Sequence, residues 1–375
     1  AKSPIGRLAI LGGLGAYAGG LGPFAQGARF GNVGGAGFLR NMFTAAGPKA
    51  IGVDKLGQTI FERSAPSFLS TLNPFGQNFS LKNRICVDFY NAGDLTSMKE
   101  VIKTGVTQLV WVETPNNPNW EVTDIVEASK LAHKAEATLI VDATATPPSM
   151  TKSLDLGADI SFHSATKYLN GHSDVSAGVL SFKKANKDWE SLFSIRKLQG
   201  TVLNSQDAFL LIRGLRTLFL RVEKNSQNAM MLAKHFESHN YVETVLYPGL
   251  ESHPNHKIAK NQTSGQYGGM LSIIIAGSEA DAINVVRNCK VFYPATSLGG
   301  VESLIEHRKT VSGEDFPVDE KLIRISVGIE DPLDLINDLE QALEKVFKKK
   351  IANIFSEKRK DRIDLIGNEQ ATEVE

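Results

Sequence analysis

The apolar positions of this chain change rhythm from one segment to the next. Gln108-Leu109-Val110-Trp111-Val112-Glu113 is a short apolar run and predicts a buried strand. It enters Thr114-Pro115-Asn116-Asn117-Pro118, where two prolines exclude both helix and ladder and predict a loop. Ile125, Val126, Ala128 and Leu131 then fall at helical spacing, with Thr123 as the expected cap of a helix reaching about Ala135. Ala137 to Asp142, Asp159 to His163 and Val179 to Phe182 predict three more strands. Apolar strands alternating with helices predict a mainly parallel sheet with helices on both faces. Ligands in such sheets bind beyond the carboxyl ends of the strands. One rim therefore collects Glu113 to Asn117, Asp142 to Thr144 and the loop after His163.

Further on, Asp207 to His239 predicts a long helix, bent at Gly214 if anywhere, of a length that suits a connector between domains. Gly269 to Ile275 and Leu322 to Val327 predict strands, the second with Arg324 and Ser326 on one face and its apolar residues on the other. Ala280 to Asn288 predicts a helix, and Asp331 opens a last one through about Lys350. This second half predicts an α+β domain. The charged end after Lys350 predicts a solvated helix extension or a disordered tail.

The beginning differs from everything that follows. Between Ala1 and Val53 there is no Asp or Glu, and 14 of the 33 glycines lie there, which opposes regular structure. Leu8-Ala9-Ile10-Leu11-Gly12-Gly13-Leu14-Gly15 resembles a strand entering a dinucleotide turn, but Ala18 stands where a third glycine is required. A phosphate-cradling glycine loop and an organelle transit segment remain open; Ser3 as the sole serine argues against the second. An irregular leader is the preferred reading. A start at Ala rather than Met suggests a processed chain or a piece of a longer one.

Composition narrows the function. The 375 residues are 42% hydrophobic and 22% charged, which excludes global disorder and suggests two domains. With 41 basic and 41 acidic residues there is no net field to attract nucleic acid or anionic membrane. No apolar run reaches the ~20 residues that span a bilayer. Cys86 and Cys289 are the only cysteines, so a reducing compartment is expected, the cytoplasm by default, with an organelle left open by the acid-free start. His163 and His172 have no third ligand nearby, which argues against a metal site.

Two clusters on the rim carry chemistry. Asp142 closes a strand, and Ser164-Ala165-Thr166-Lys167-Tyr168 follows the next one. Lysine forms Schiff bases with carbonyl cofactors. Pyridoxal phosphate (PLP) needs such a lysine, an anion beside its ring nitrogen and donors around its phosphate. Lys167, Asp142 and the hydroxyls of Ser164 and Thr166 match that set, the hydroxyls two residues apart and facing the same side. On spacing alone, a lysine in a polar loop reads equally as a surface lysine.

Resemblance selects between the two. Val141-Asp142-Ala143-Thr144-Ala145-Thr146-Pro147-Pro148 resembles the VDNTFATP motif of the Cys/Met-metabolism PLP enzymes, the cystathionine γ-synthase and γ-lyase family. His163 to Asp174 is similar to that family's lysine motif, Glu113 to Pro118 to its ETPSNP loop, Ser297 to Ser303 to SLGGVES, and Leu322 to Gly328 to LIRLSVG. These motifs follow in family order over residues 85–345. The resemblance implies an α/β fold of the aspartate-aminotransferase-like type (fold type I). It implies Lys167 as the cofactor-binding and proton-moving lysine, and Asp142 against the pyridinium. Thr144, Ser164, Thr166 and Asn117 would be further cofactor contacts, Arg324 the clamp for the substrate α-carboxylate, and Ser297 a neighbour of the substrate. It also implies homodimers pairing into homotetramers, with active sites shared between subunits.

The departures are as informative. The family's Tyr-x-Arg, Ser-Ser-Gly-Met-Ala and YGGTY segments have no counterpart before residue 90, which removes a helix-end phosphate site and a ring-stacking tyrosine. Phe75 or Phe79 is the candidate for the stacking ring. Ala143 and Ala145 replace Asn and Phe, and Thr296 replaces the Glu that precedes SLGG in many members acting on cystathionine. The expected organisation is a leader (1–53), a cofactor-binding large domain (54–205), a connecting helix (206–239), a C-terminal α+β domain (240–350) and a tail (351–375). The expected activity is γ-replacement or γ-elimination at a sulfur amino acid or an O-acyl-homoserine. The rival is a catalytically impaired family member retained as a subunit or scaffold.

Overall fold

The structure, a computed structural model, describes residues 49–53, 59–62, 87–313 and 317–348. The expectations for residues 1–48, for Phe75 and Phe79, and for the tail after residue 350 lie outside the described residues. Within the unit formed by residues 23–88, β1 (Lys49–Val53) pairs antiparallel with β2 (Thr59–Glu62). The last five residues of the expected irregular leader thus form a strand.

In the other unit, α1 (Leu95–Val101) precedes a four-stranded sheet in the order β3 (Leu109–Glu113), β4 (Thr138–Asp142), β5 (Ile160–Ser164), β6 (Gly178–Phe182). The first three strands are parallel and β6 closes the edge antiparallel to β5. Both faces of β4 are covered: Leu139 and Val141 pack toward Ile125, Ala128 and Ala132 of α2 (Ile125–Lys134), whereas Ile140 packs with Ile160 and Trp111. Two covered faces explain why this strand reads as an unbroken apolar run. The cap of α2 is Asp124, whose Oδ1 accepts from the Glu127 amide at 3.1 Å, and not Thr123. Thr123 is buried, and its hydroxyl accepts from the Gly93 amide. Both residue types cap helices, and burial of Thr123 assigned the task to its neighbour.

The expected long helix is interrupted. After α3 (Lys187–Gln199), which contributes no buried side chain, α4 (Ser205–Leu215) and α5 (Leu218–Phe236) are separate helices broken at Arg216 and Thr217. Gly214 marks the close approach that accompanies the break, since a Cβ there would lie 2.3 Å from the Asn170 carbonyl oxygen. Across this contact Arg221 donates to the carbonyls of Tyr168 and Gly214, each at 2.9 Å, and so ties α5 to the loop that follows Lys167.

The second sheet has the order β7 (Val242–Leu246), β8 (Met270–Ile275), β11 (Leu322–Ser326), β10 (Leu304–His307), β9 (Tyr293–Pro294) and is antiparallel except for the pair β9–β10. Helices α6 (His256–Gln262), α7 (Glu279–Asn288) and α8 (Arg308–Ser312) intervene, and a helix over residues 332–348 closes the described chain. Leu271, Ile273, Ile275, Ile323 and Ile325 form a core with Leu232 and Phe236 of α5 and with Leu335, Leu339 and Leu343. The alternation in β11 leaves Arg324 and Ser326 for the opposite face, as its sequence predicts. On that face Ser272, beside Arg324 in the ladder, accepts from Trp120 Nε1 at 2.8 Å and donates to the Pro118 carbonyl at 2.9 Å. These bonds dock the loop after β3 onto the second sheet.

Candidate active site

Strands β3, β4 and β5 end together in Glu113, Asp142 and Ser164. Glu113 and Asp142 are ladder partners, so two carboxyl groups stand side by side at the rim. Asp142 Oδ1 accepts from the Thr144 amide at 3.0 Å and from its hydroxyl at 2.6 Å, and Thr144 Oγ1 accepts from the Ser164 amide at 2.9 Å. This chain of bonds ties the ends of β4 and β5. Burial pushes Asp142 up to about 6, with the Thr144 bonds opposing it. Glu113 is an exposed residue, yet desolvation of its carboxyl and then the Asp142 charge push it up to about 7. The Asn117 amide donates to Glu113 Oε1 at 3.3 Å.

Beyond β5 the chain turns, the Lys167 amide bonding back to the Ser164 carbonyl at 3.1 Å. Lys167 is 8% exposed, and its Nζ donates to Ser297 Oγ at 2.9 Å. Burial first, then the positive charge of Arg324, push the Lys167 amine down to about 8, with Glu306 opposing. The Ser297 carbonyl in turn accepts from Arg324 Nη2 at 3.0 Å, while Arg324 Nη1 reaches Asn117 Oδ1 at 3.4 Å. Asn117 joins the two groups, with its side chain toward Arg324 and its amide toward Glu113 beside Asp142. Gly299, at φ +75°, lets the turn after Ser297 lie against Tyr168, where a Cβ would come within 2.8 Å of the Tyr168 amide.

The structure therefore brings Lys167, Ser297, Arg324 and Asn117 into contact, with Asp142, Thr144 and Ser164 linked along the same rim. Thr166 is engaged elsewhere: its hydroxyl accepts from the Ala177 amide at 2.9 Å and donates to the Ala177 carbonyl at 3.3 Å. His163 bonds Ser161 Oγ and His172 bonds the Asn170 carbonyl. Glu306 escaped the sequence reading. It lies opposite Arg324 in the β10–β11 ladder and takes Arg324 Nε at 2.6 Å. A charged residue directly after the apolar pair Leu304-Ile305 is its only signal, and a strand of four residues is too short to establish a period.

The donor set fits PLP in kind. A buried lysine amine with a lowered pKa suits an aldehyde, a carboxyl held by one oxygen suits a ring nitrogen, and Thr144 and Asn117 stand beside them.

The chain is similar to known PLP-dependent proteins. The model of the Cys/Met metabolism PLP-dependent enzyme family matches residues 60–344. The chain is 43% identical over 278 residues to a cystathionine γ-lyase of Dictyostelium discoideum, covering 72% of this chain and 70% of that one. It is 40% identical over 269 residues to an L-methionine γ-lyase of Fusobacterium nucleatum subsp. polymorphum, covering 69% and 68%. A cystathionine γ-synthase of Mycobacterium tuberculosis (strain ATCC 25618 / H37Rv) is 44% identical over 242 residues, 63% of this chain but only 62% of that protein. Among solved structures, MetB from Corynebacterium glutamicum has a TM-score of 0.65 at 41% identity, covering 68% of this chain and 67% of that one. The expected family and the fold type I α/β architecture are both borne out: with its strand ends, lysine loop and SLGG turn in family order, the chain belongs to the Cys/Met metabolism PLP-dependent enzymes.

Proposed function

We propose that this chain binds PLP through Lys167 and catalyses γ-replacement or γ-elimination at a sulfur amino acid or an O-acyl-homoserine. The supporting observation is that Ser297 receives both key cations, Lys167 Nζ on its hydroxyl at 2.9 Å and Arg324 Nη2 on its carbonyl at 3.0 Å. In an α-amino acid the carboxylate is one bond from the Cα–H. A clamp for the first and a base for the second must therefore be neighbours.

Bound PLP supplies an aldehyde for the lysine and a protonated ring that withdraws electron density from the substrate Cα. The residues do the rest. Asp142, anchored on one oxygen by Thr144, offers the other to the ring N–H, and that cation favours its ionised form. Arg324 holds the substrate α-carboxylate by its Nη edge, the geometry in which guanidinium and carboxylate match. Lys167 Nζ takes the proton from Cα and returns it farther along the side chain. With its pKa near 8, a useful fraction of the amine is neutral at ordinary pH. Asn117 steadies the ring oxygen, and Ser164 and Thr166 contribute to the phosphate site, Thr166 after exchanging its Ala177 partner. Thr296 leaves no anion for a distal ammonium at that position, which weighs toward substrates without one.

A homodimer or homotetramer is the assembly we propose, supported by the exposed apolar side chains Trp189, Phe193 and Leu198 of α3 and Phe209 and Ile212 of α4. Among the described residues no helix is long and apolar enough to cross a membrane, and the cytoplasm is the compartment we propose. The deciding experiment is a visible spectrum of the purified protein before and after adding PLP. Wild type gains a Schiff-base band and Lys167→Ala does not. A wild-type protein that takes up no PLP favours the scaffold role. A screen of O-acyl-homoserine, cystathionine and methionine then identifies the substrate.

A further inference from the structure

Glu306 is an anomaly of packing. It is 4% exposed and sits between two guanidinium groups, with Oε1 2.6 Å from Arg324 Nε and 2.9 Å from Arg308 Nη1. Its other oxygen, Oε2, is buried and has no hydrogen-bond partner among the described residues. Burying a carboxylate is costly, and leaving one oxygen unsatisfied adds to that cost. A buried polar atom left unmatched asks for an explanation, and the placement of Glu306 against Arg324 offers one.

The geometry points to Glu306 as a positioning residue that grips Arg324 by its Nε, so that the Nη edge of the guanidinium is presented to the substrate α-carboxylate. An arginine has two edges that can meet a carboxylate. Glu306 occupies the Nε side, opposite it in the ladder, and only the Nη atoms reach Asn117 and Ser297. The long arginine side chain loses its freedom in the free protein rather than on binding, so less affinity is spent on ordering it. The Glu306 charge also opposes that of Arg324 at Lys167; these are the two charged groups that act on the Lys167 amine. The inference rests on the reading of Arg324 as the carboxylate clamp.

The test uses the PLP-loaded protein and the amino acid found active in the screen. Glu306→Gln keeps the shape and removes the charge. It should raise KM roughly tenfold, the effect of one charge-assisted hydrogen bond, with kcat nearly unchanged. Glu306→Asp, which keeps the charge but withdraws it, should fall between the two; it also serves if the glutamine variant does not fold. In an Arg324→Ala background the glutamine substitution should add nothing, because there is no guanidinium left to orient. In PLP-free protein, the pH profile of Lys167 acylation should move to lower pH in Glu306→Gln, a shift that loss of packing alone does not produce. If Arg324→Ala raises KM and Glu306→Gln does not, Glu306 has no positioning role while the clamp stands. An equal effect of Glu306→Gln with and without Arg324 also overturns the inference. If Arg324→Ala leaves KM unchanged, the clamp reading and the inference both fall.

Discussion

Lys167 Nζ and Ser297 Oγ are hydrogen-bonded at 2.9 Å although 130 residues separate them in the chain. One strand-end loop of the parallel sheet and one turn beside the antiparallel sheet thus hold the reacting amine between them. The Arg324 contact at Ser297 is to the main-chain carbonyl and survives loss of the side chain. Ser297→Ala is therefore expected to lower kcat roughly tenfold, through a less well-held amine, while KM changes by less than about threefold. Steady-state kinetics with the active amino acid separates the two.

The Lys167 amine titrates near 8, against an ordinary value of 10.5. Only the neutral amine attacks an aldehyde. The rate of PLP uptake by PLP-free protein should therefore rise with pH through about 8 and level off above, and stopped-flow absorbance would follow it. The same shift is a stability statement. The unfolded chain holds the lysine proton more tightly than the folded one, so folding is penalised below pH 8 and the penalty fades as pH rises through 10.5. Lys167→Met should stabilise the PLP-free protein by roughly 1–3 kcal/mol at pH 7 and by little at pH 11.

Asp142 and Glu113 shift the opposite way for an acid, up to about 6 and about 7. Their folded forms hold protons that the unfolded chain releases near pH 4. Stability is therefore lost as pH rises from 4 through 7, and the loss is complete above that. Asp142→Asn should raise the thermal midpoint of PLP-free protein at pH 8 while weakening PLP binding. PLP should raise the wild-type midpoint more at pH 8 than at pH 5. Differential scanning fluorimetry at both pH values reads each effect.

Gly214→Ala tests the contact between α4 and the lysine loop. The added methyl would lie 2.3 Å from the Asn170 carbonyl oxygen, which is backbone and cannot rotate away. A loss of about 1–3 kcal/mol is expected, together with slower PLP uptake as the loop after Lys167 is displaced. Chemical denaturation and the visible spectrum measure the two effects.

Much of this arrangement was legible in the chain itself. The strand ending in Asp142 is buried on both faces and carries the apolar run that such burial requires, while the strand ending in Glu113 buries Val110 and Val112 on one face and half-buries Leu109 and Trp111 on the other. Lys167, Asp142 and Arg324 lie in motifs that resemble those of the family, and it was that resemblance, not spacing, that singled them out. Other elements left no pattern. Helix α3 buries no side chain, so its apolar residues mark no face toward the core of this chain. The stretch from Asp207 to His239 keeps helical spacing through Arg216 and Thr217, yet the helix breaks there and Arg221 of the following helix bonds the lysine loop. Thr123 and Asp124 are both capping residues, and only burial distinguished them.

By itself, then, the sequence determined which segments are strands of a covered sheet and which residue types stand at their ends, because periodicity and burial are local consequences of side-chain polarity. Only the tertiary structure decided that Ser297 meets Lys167, that Asn117 and Ser297 flank Arg324, and that Glu306 holds its Nε. Those contacts join residues from different strands and turns, and a hydrogen bond across a fold depends on the packing of two sheets, which no local pattern encodes.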